Sequence, residues 1–257
     1  MTSKYMALPK GMSESSFDAA IAQFKKALGE DNVMIKDELV RPYTKVMMAV
    51  PTEEHTPSAV VTATTVEQVQ EVVKICNAHK VPVWTISTGR NFGYGSAAPG
   101  QRGQVVLDLR KMNKIIHVDP ELCTALVEPG VTYQMLYDYL EENKIPLMLS
   151  FSAPSAIAGP LGNTMDRGVG YTPYGEHFMM QCGMEVVMAN GDVLRTGMGG
   201  VKGDKAWQVF KWGYGPTLDG MFTQSNYGIC TKMGFWLMPK PPVFKPLEIQ
   251  FDEDSDI

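Results

Sequence analysis

The sequence is poor in the features that announce common chemistries. Its 257 residues include four cysteines, Cys76, Cys123, Cys182 and Cys230. They are scattered without a C-x-x-C pair, which excludes the usual zinc and redox-dithiol spacings. They read as buried thiols of a reducing compartment. No Gly-Lys-Ser/Thr triplet occurs, so a Walker phosphate loop is absent. No apolar run approaches membrane-spanning length. The N-terminus lacks a basic segment followed by an apolar stretch, so no secretory signal is expected and the compartment reads as cytoplasmic. Basic excess is missing too. The net charge of −5 disfavours a nucleic-acid partner. With 44% hydrophobic and 20% charged residues, the chain has the balance of a soluble globular protein of one large domain or two small ones.

The hydrophobic periodicity alternates between helix and strand. Phe17, Ala20, Ile21, Phe24 and Leu28 fall at helical spacing over 14–28, after a serine-rich start. Residues 57–61 read as a strand. Thr64 to Glu67 resembles a capping box and opens a helix burying Val66, Val69, Val72, Val73 and Cys76. A short buried strand follows at 81–86, and another at 105–109. Residues 114–118 and 124–127 predict a hairpin. Thr132 caps a helix with Tyr133, Leu136, Tyr137 and Leu140 inward. Residues 150–175 carry no clear period, and so long an irregular segment is usually functional. Asn190-Gly191 between 184–188 and 193–196 predicts a hairpin with a type I′ turn. Residues 228–237 form a last strand, and Pro239 to Pro242 reads as a linker. The fold class is therefore α+β. Met179, Met180 and Met184 could line a flat pocket, but core packing is the more ordinary use of methionine.

Two glycine-rich segments carry the functional signal. The first is Thr85–Pro99, with Gly89, Gly93 and Gly95 between hydroxyl residues, Arg90 and Asn91. Glycine lets backbone N–H groups approach an anion closely, and successive N–H groups form an anion-binding nest. A bound pyrophosphate, hence a nucleotide cofactor, is the first functional expectation. Gly93-Tyr-Gly-Ser-Ala-Ala98 formally fits G-x-G-x-x-A, yet Pro99-Gly100 and a strand follow where that motif needs a helix. An ordinary glycine-rich connection is the alternative. The second segment, Gly159–His177, holds Gly159, Gly162, Gly168 and Gly170. Asn163, Thr164 and Arg167 are candidate donors to a phosphate or ring carbonyl, and Asp166 and Glu176 candidate acceptors. An acid beside Arg167 is more often a structural ion pair. His177 could be a base, but without nucleophile spacing it reads as packed or capping.

Taken together, the runs 87–99, 126–131, 162–177, 195–199 and 220–226 closely resemble the vanillyl-alcohol oxidase and p-cresol methylhydroxylase family of FAD enzymes. The likeness extends from about Tyr43 to Phe244. It implies a two-subdomain FAD-binding domain of the p-cresol methylhydroxylase type, without the family's substrate cap domain. Residues 1–55 would form an arm and helix. The FAD-binding domain would span 56–240, with subdomains of about 56–118 and 119–240. Residues 241–257 would be an interrupted entry to the cap.

The resemblance also implies which residues hold FAD. Ser87, Thr88, Gly89, Arg90 and Asn91, with Phe92, Gly93, Tyr94 and Gly95, would hold the pyrophosphate. Gly130, Val131, Gly159, Gly162, Asn163 and Thr164 would line the adenosine and isoalloxazine. Arg167, Gly168, Gly170, Tyr171, Gly228 and Ile229 would do so as well. Tyr94 would also be catalytic, hydrogen-bonding the phenolic oxygen of a 4-alkylphenol. A donor there stabilises the phenolate, which is more easily oxidised. No metal is implied.

The expected reaction is benzylic hydride transfer to FAD, followed by water addition to a quinone methide. Ser150-Phe-Ser-Ala-Pro-Ser155 lacks the acid that the family's oxidases carry near the flavin. That favours the dehydrogenases, which pass electrons to a c-type cytochrome. A homodimer of flavoprotein subunits and a periplasmic cytochrome complex are the corresponding partner and location. The covalent flavin tether, and most phenol-binding residues, are expected outside these 257 residues. A non-catalytic FAD-binding fragment is thus the competing expectation.

Overall fold

Phe17, Ala20, Ile21, Phe24 and Leu28 recur every three or four residues, and all five are buried along one side of α1 (Glu14–Leu28). Ser13 caps its start by accepting from the Ser16 N–H, and Gly29 ends it at φ +90°. The computed structural model describes residues 3–92, 96–152, 155–253 and 255. After α1 come β1 (Val33–Met34), α2 (Asp37–Val40), β2 (Ala59–Thr62), α3 (Val66–His79), β3 (Val83–Ile86) and β4 (Val105–Asp108). Helices α1 and α3 pack on a four-stranded sheet of order β1-β2-β4-β3, and their apolar faces fill its core. Strands β2, β4 and β3 run parallel, with β1 antiparallel at one edge.

The next elements are β5 (Ile115–Asp119), β6 (Thr124–Val127), α4 (Tyr133–Glu142), β7 (Leu147–Met148), α5 (Pro160–Met165) and α6 (His177–Met180). They are followed by β8 (Gln181–Met188), β9 (Val193–Arg195), α7 (Asp219–Phe222), β10 (Gly228–Trp236) and β11 (Met238–Pro239). A five-stranded antiparallel sheet of order β5-β6-β10-β8-β9 builds a second core with α4. The two cores meet where Val187 and Ile229 of this sheet reach the first one.

Several expectations need correction. The N-cap of α3 is Thr65, which accepts from the Gln68 N–H. Gln68 Oε1 in turn accepts from the Thr64 N–H at 2.8 Å, so the cap sits one residue later than Thr64/Glu67. Strand β3 is half-buried, because it is an edge strand of its sheet. Tyr137 is 57% exposed, since it falls at the margin of the apolar stripe made by Tyr133, Leu136 and Leu140. Of Asn190-Gly191 only Gly191 takes a positive φ, +87°. Gly191 N–H donates to the Met188 carbonyl and Met188 N–H to the Asp192 carbonyl. That is the three-residue loop ending in a left-handed glycine, in place of type I′. The aperiodic 150–175 segment contains α5. Pro239 pairs in β11 with β7 and is no linker residue. Met184 is core, Met179 exposed, and Cys123 only half-buried.

Candidate functional site

The loop leaving β3 and the segment carrying α5 meet across a cleft of ≈1130 Å³. Its walls come from the end of β3 and the loop after it, from Gly159 to Val169, and from Phe222 to Cys230. Glycine is what lets the walls approach. A Cβ at Gly162 would lie 2.0 Å from Ser87 Oγ, and one at Gly159 would lie 2.8 Å from Thr88 Cγ2. Gly89 adopts φ +67°, a left-handed conformation that turns the first loop. The Ser96 N–H donates to the Asn91 carbonyl at 2.6 Å, closing that loop at its base.

A side-chain bond ties the two segments together, with Asn91 Nδ2 donating to Asp166 Oδ2. Burial pushes the Asp166 carboxyl above the usual carboxylate range, and the Asn91 bond partly offsets this. Among the described residues Asp166 has no salt bridge, so the expected ion pair with an arginine is absent. Arg167, at φ +53°, instead donates from Nε to Thr223 Oγ1 at 3.0 Å and stacks over Phe178.

Of the residues singled out from sequence, Ser87, Thr88, Gly89, Arg90 and Asn91 line the cleft. So do Gly159, Gly162, Asn163, Arg167, Gly168, Gly228 and Ile229. Gly93, Tyr94 and Gly95 lie outside the described residues. Phe92 is 37% exposed, and Tyr171 is 94% exposed. Gly130, Val131, Thr164 and Gly170 sit behind the walls. A Cβ at Gly130 would meet the Arg110 carbonyl oxygen at 2.4 Å. Val131 is fully buried, with its carbonyl oxygen 3.1 Å from a Cβ placed at Gly159.

His177 is packed, as its sequence context suggests. It is 6% exposed at the start of α6, and burial lowers its pKa. Nδ1 lies 2.5 Å from Asn163 Oδ1, and Nε2 lies 3.0 Å from Ser150 Oγ.

Sequence reasoning left Gln224, Ser225 and Asn226 out of the site, although they line the cleft. Gln224 N–H donates to the Met165 carbonyl and Gln224 Nε2 to the Asp166 carbonyl, which pins this third segment to the end of α5. Their polar run, following directly on the last turn of α7, was the available signal. Ser152 also lines the cleft, with a buried Oγ that has no hydrogen-bond partner among the described residues. No group of three or more His, Cys, Asp or Glu that could hold a metal ion exists among the described residues. No helix among them is long and apolar enough to cross a membrane.

The FAD binding domain family model matches residues 57–197. The 4-cresol dehydrogenase (hydroxylating) flavoprotein subunit of Pseudomonas putida is 73% identical over 97% of this chain and 48% of its own length. The 1'-carboxy-chondrochloren decarboxylase of Chondromyces crocatus is 38% identical over 90% of this chain and 42% of its own. Among solved structures, p-cresol methylhydroxylase with substrate bound superposes with TM-score 0.95 at 73% identity, covering 97% of this chain and 48% of that one. The 4-ethylphenol oxidase from Gulosibacter chungangensis superposes with TM-score 0.87 at 42% identity, covering 92% and 45%. The chain thus spans about half the length of the relatives it matches.

Proposed function

The chain belongs to the FAD-binding family whose model covers residues 57–197, and on that premise we propose that it is the FAD-binding half of a 4-alkylphenol dehydrogenase (hydroxylating). The observation that carries this is the 73% identity over 97% of the chain to a 4-cresol dehydrogenase flavoprotein subunit. The cleft suits an extended dinucleotide. Any side chain at Gly162 or Gly159 would fill its wall. Asn163 and Ser152 line the cleft, and Ser152 Oγ is buried with no hydrogen-bond partner among the described residues. Arg90 and Arg167 supply the positive charge that a pyrophosphate requires.

In this proposal the 87–95 loop holds the pyrophosphate, and Asn91 and Asp166 fix that loop against α5. Asn163 and the 224–229 segment hold the remainder of the dinucleotide. FAD, when bound, supplies the acceptor for a hydride from the benzylic carbon of the phenol, and water adds to the quinone methide left behind. Tyr94 donates to the phenolic oxygen and stabilises its developing negative charge. A c-type cytochrome would take the electrons onward, which the acid-free stretch Ser150–Ser155 favours over oxygen. We take 56–118 and 119–240 as the two halves of the cofactor domain.

Anaerobic addition of 4-cresol to the FAD-loaded protein tests this directly. The flavin absorbance should bleach, and added cytochrome c should restore it faster than air. Recovery faster in air would mark an oxidase, and no bleaching with any 4-alkylphenol would leave only cofactor binding.

A further inference from the structure

Ser150, His177 and Asn163 come from three separate segments and meet in one hydrogen-bonded line. Ser150 is 3% exposed and His177 6% exposed, so the bond between them is shielded from water, while Asn163 at the other end is only half-buried. Two glycines close over the line. A Cβ at Gly170 would meet Ser150 Oγ at 2.5 Å and His177 Nε2 at 2.8 Å, and one at Gly168 would meet Asn163 Nδ2 at 2.1 Å.

The connectivity matches a nucleophile, base and orienting amide, but the space does not. The void beside Ser150 measures ≈10 Å³, about one water and no substrate. The free end of the line is elsewhere. Asn163 lines the large cleft, and its Nδ2 donates to none of the described residues.

We propose that Ser150 and His177 are positioning residues that lock the Asn163 carboxamide with its Nδ2 donors toward the cleft, where they serve an acceptor atom of the cofactor. The assignment rests on the FAD reading above. The polarity follows from the donor inventory. An amide oxygen only accepts, so His177 carries its proton on Nδ1 and donates to Asn163 Oδ1. The unprotonated Nε2 then accepts from the Ser150 hydroxyl. The opposite tautomer would turn the Asn163 amide over and present its oxygen to the cleft, repelling an anionic ligand. Burial, which disfavours the imidazolium, keeps the ring in the neutral form this polarity needs.

Two measurements test the proposal. Nitrogen-15 NMR of the imidazole in the FAD-free protein should report the neutral Nδ1–H tautomer for His177; an Nε2–H tautomer would overturn the assigned polarity. Calorimetric titration with FAD should then separate two conservative variants. His177→Asn keeps a donor where Nδ1 stood and should bind FAD as the parent does. His177→Gln keeps only the Nε2 side and should bind roughly five- to tenfold more weakly, the loss of one ordinary hydrogen bond. Asn163→Ala should match it, and the H177Q/N163A double variant should be no weaker than either single one. Equal losses in H177N and H177Q, or additive losses in the double variant, would overturn the positioning role. The Nδ1–H tautomer in a parent protein that binds no FAD would preserve the polarity and overturn the assignment to this cofactor.

Discussion

At the residue scale, the glycines of the cleft differ in what lies opposite them. A methyl group at Gly162 meets the short side chain of Ser87, whereas at Gly130 it meets the backbone oxygens of Arg110 and Met112. Both substitutions to Ala should destabilise by about 1–3 kcal/mol or more, the usual cost of overpacking. Only the first should be reversible. Gly162→Ala combined with Ser87→Gly should recover much of the thermal midpoint lost by the single variant, while no side-chain change rescues Gly130→Ala.

Asp166 and His177 should tilt the pH dependence in opposite directions. The Asp166 carboxyl is raised by burial, so its contribution is present below the unfolded pKa of about 3.9 and lost as pH rises through the folded value. The His177 imidazole is lowered, chiefly by burial and against the opposing charge of Glu176. Its contribution is present above the unfolded pKa of about 6.5 and lost as pH falls toward the folded value. Thermal melts across acid to neutral pH should therefore show Asp166→Asn gaining on the parent as pH rises. His177→Asn should gain on it as pH falls. Parallel curves for either variant would mean that its group does not titrate differently on folding.

At the element scale, local signals and their observed use differ by small shifts of register. The cap of α3 falls on Thr65 because its hydroxyl reaches the Gln68 N–H at 3.3 Å, while the Gln68 side chain turns back to Thr64. Thr65→Ala should cost about 1 kcal/mol in denaturant unfolding. The β8–β9 loop needs a left-handed residue only at Gly191. Gly191→Ala should cost about 1–2 kcal/mol, and a far smaller loss would argue that the loop relaxes to another turn.

At the scale of the whole molecule, the cleft is the place where two separately packed cores leave space between them. A ligand that binds the folded state alone stabilises it by mass action, about 2.7 kcal/mol at a hundredfold excess over its dissociation constant. FAD should raise the thermal midpoint of the parent protein accordingly. It should raise that of Gly162→Ala less, because the methyl group displaces the Ser87 wall.

The sequence alone determined the elements whose cause is local. Helix α1 and the 115–127 hairpin follow from periodicity and turn chemistry, which act over a few residues, and α1 appears with the bounds its apolar spacing predicts. The two glycine segments were legible as places of close approach, because glycine clusters densely where a side chain would not fit. Tertiary structure decided everything that depends on pairs far apart in the chain. It set β4 between β2 and β3 and made β3 an edge strand. It brought Gly162 onto Ser87, Asn91 onto Asp166 and Ser150 onto His177. It also drew the line between Gly162, which faces the cleft, and Gly170, which covers a buried bond behind it. Both glycines look alike in sequence, since a missing side chain records only that something approaches closely. What approaches is chosen by the fold.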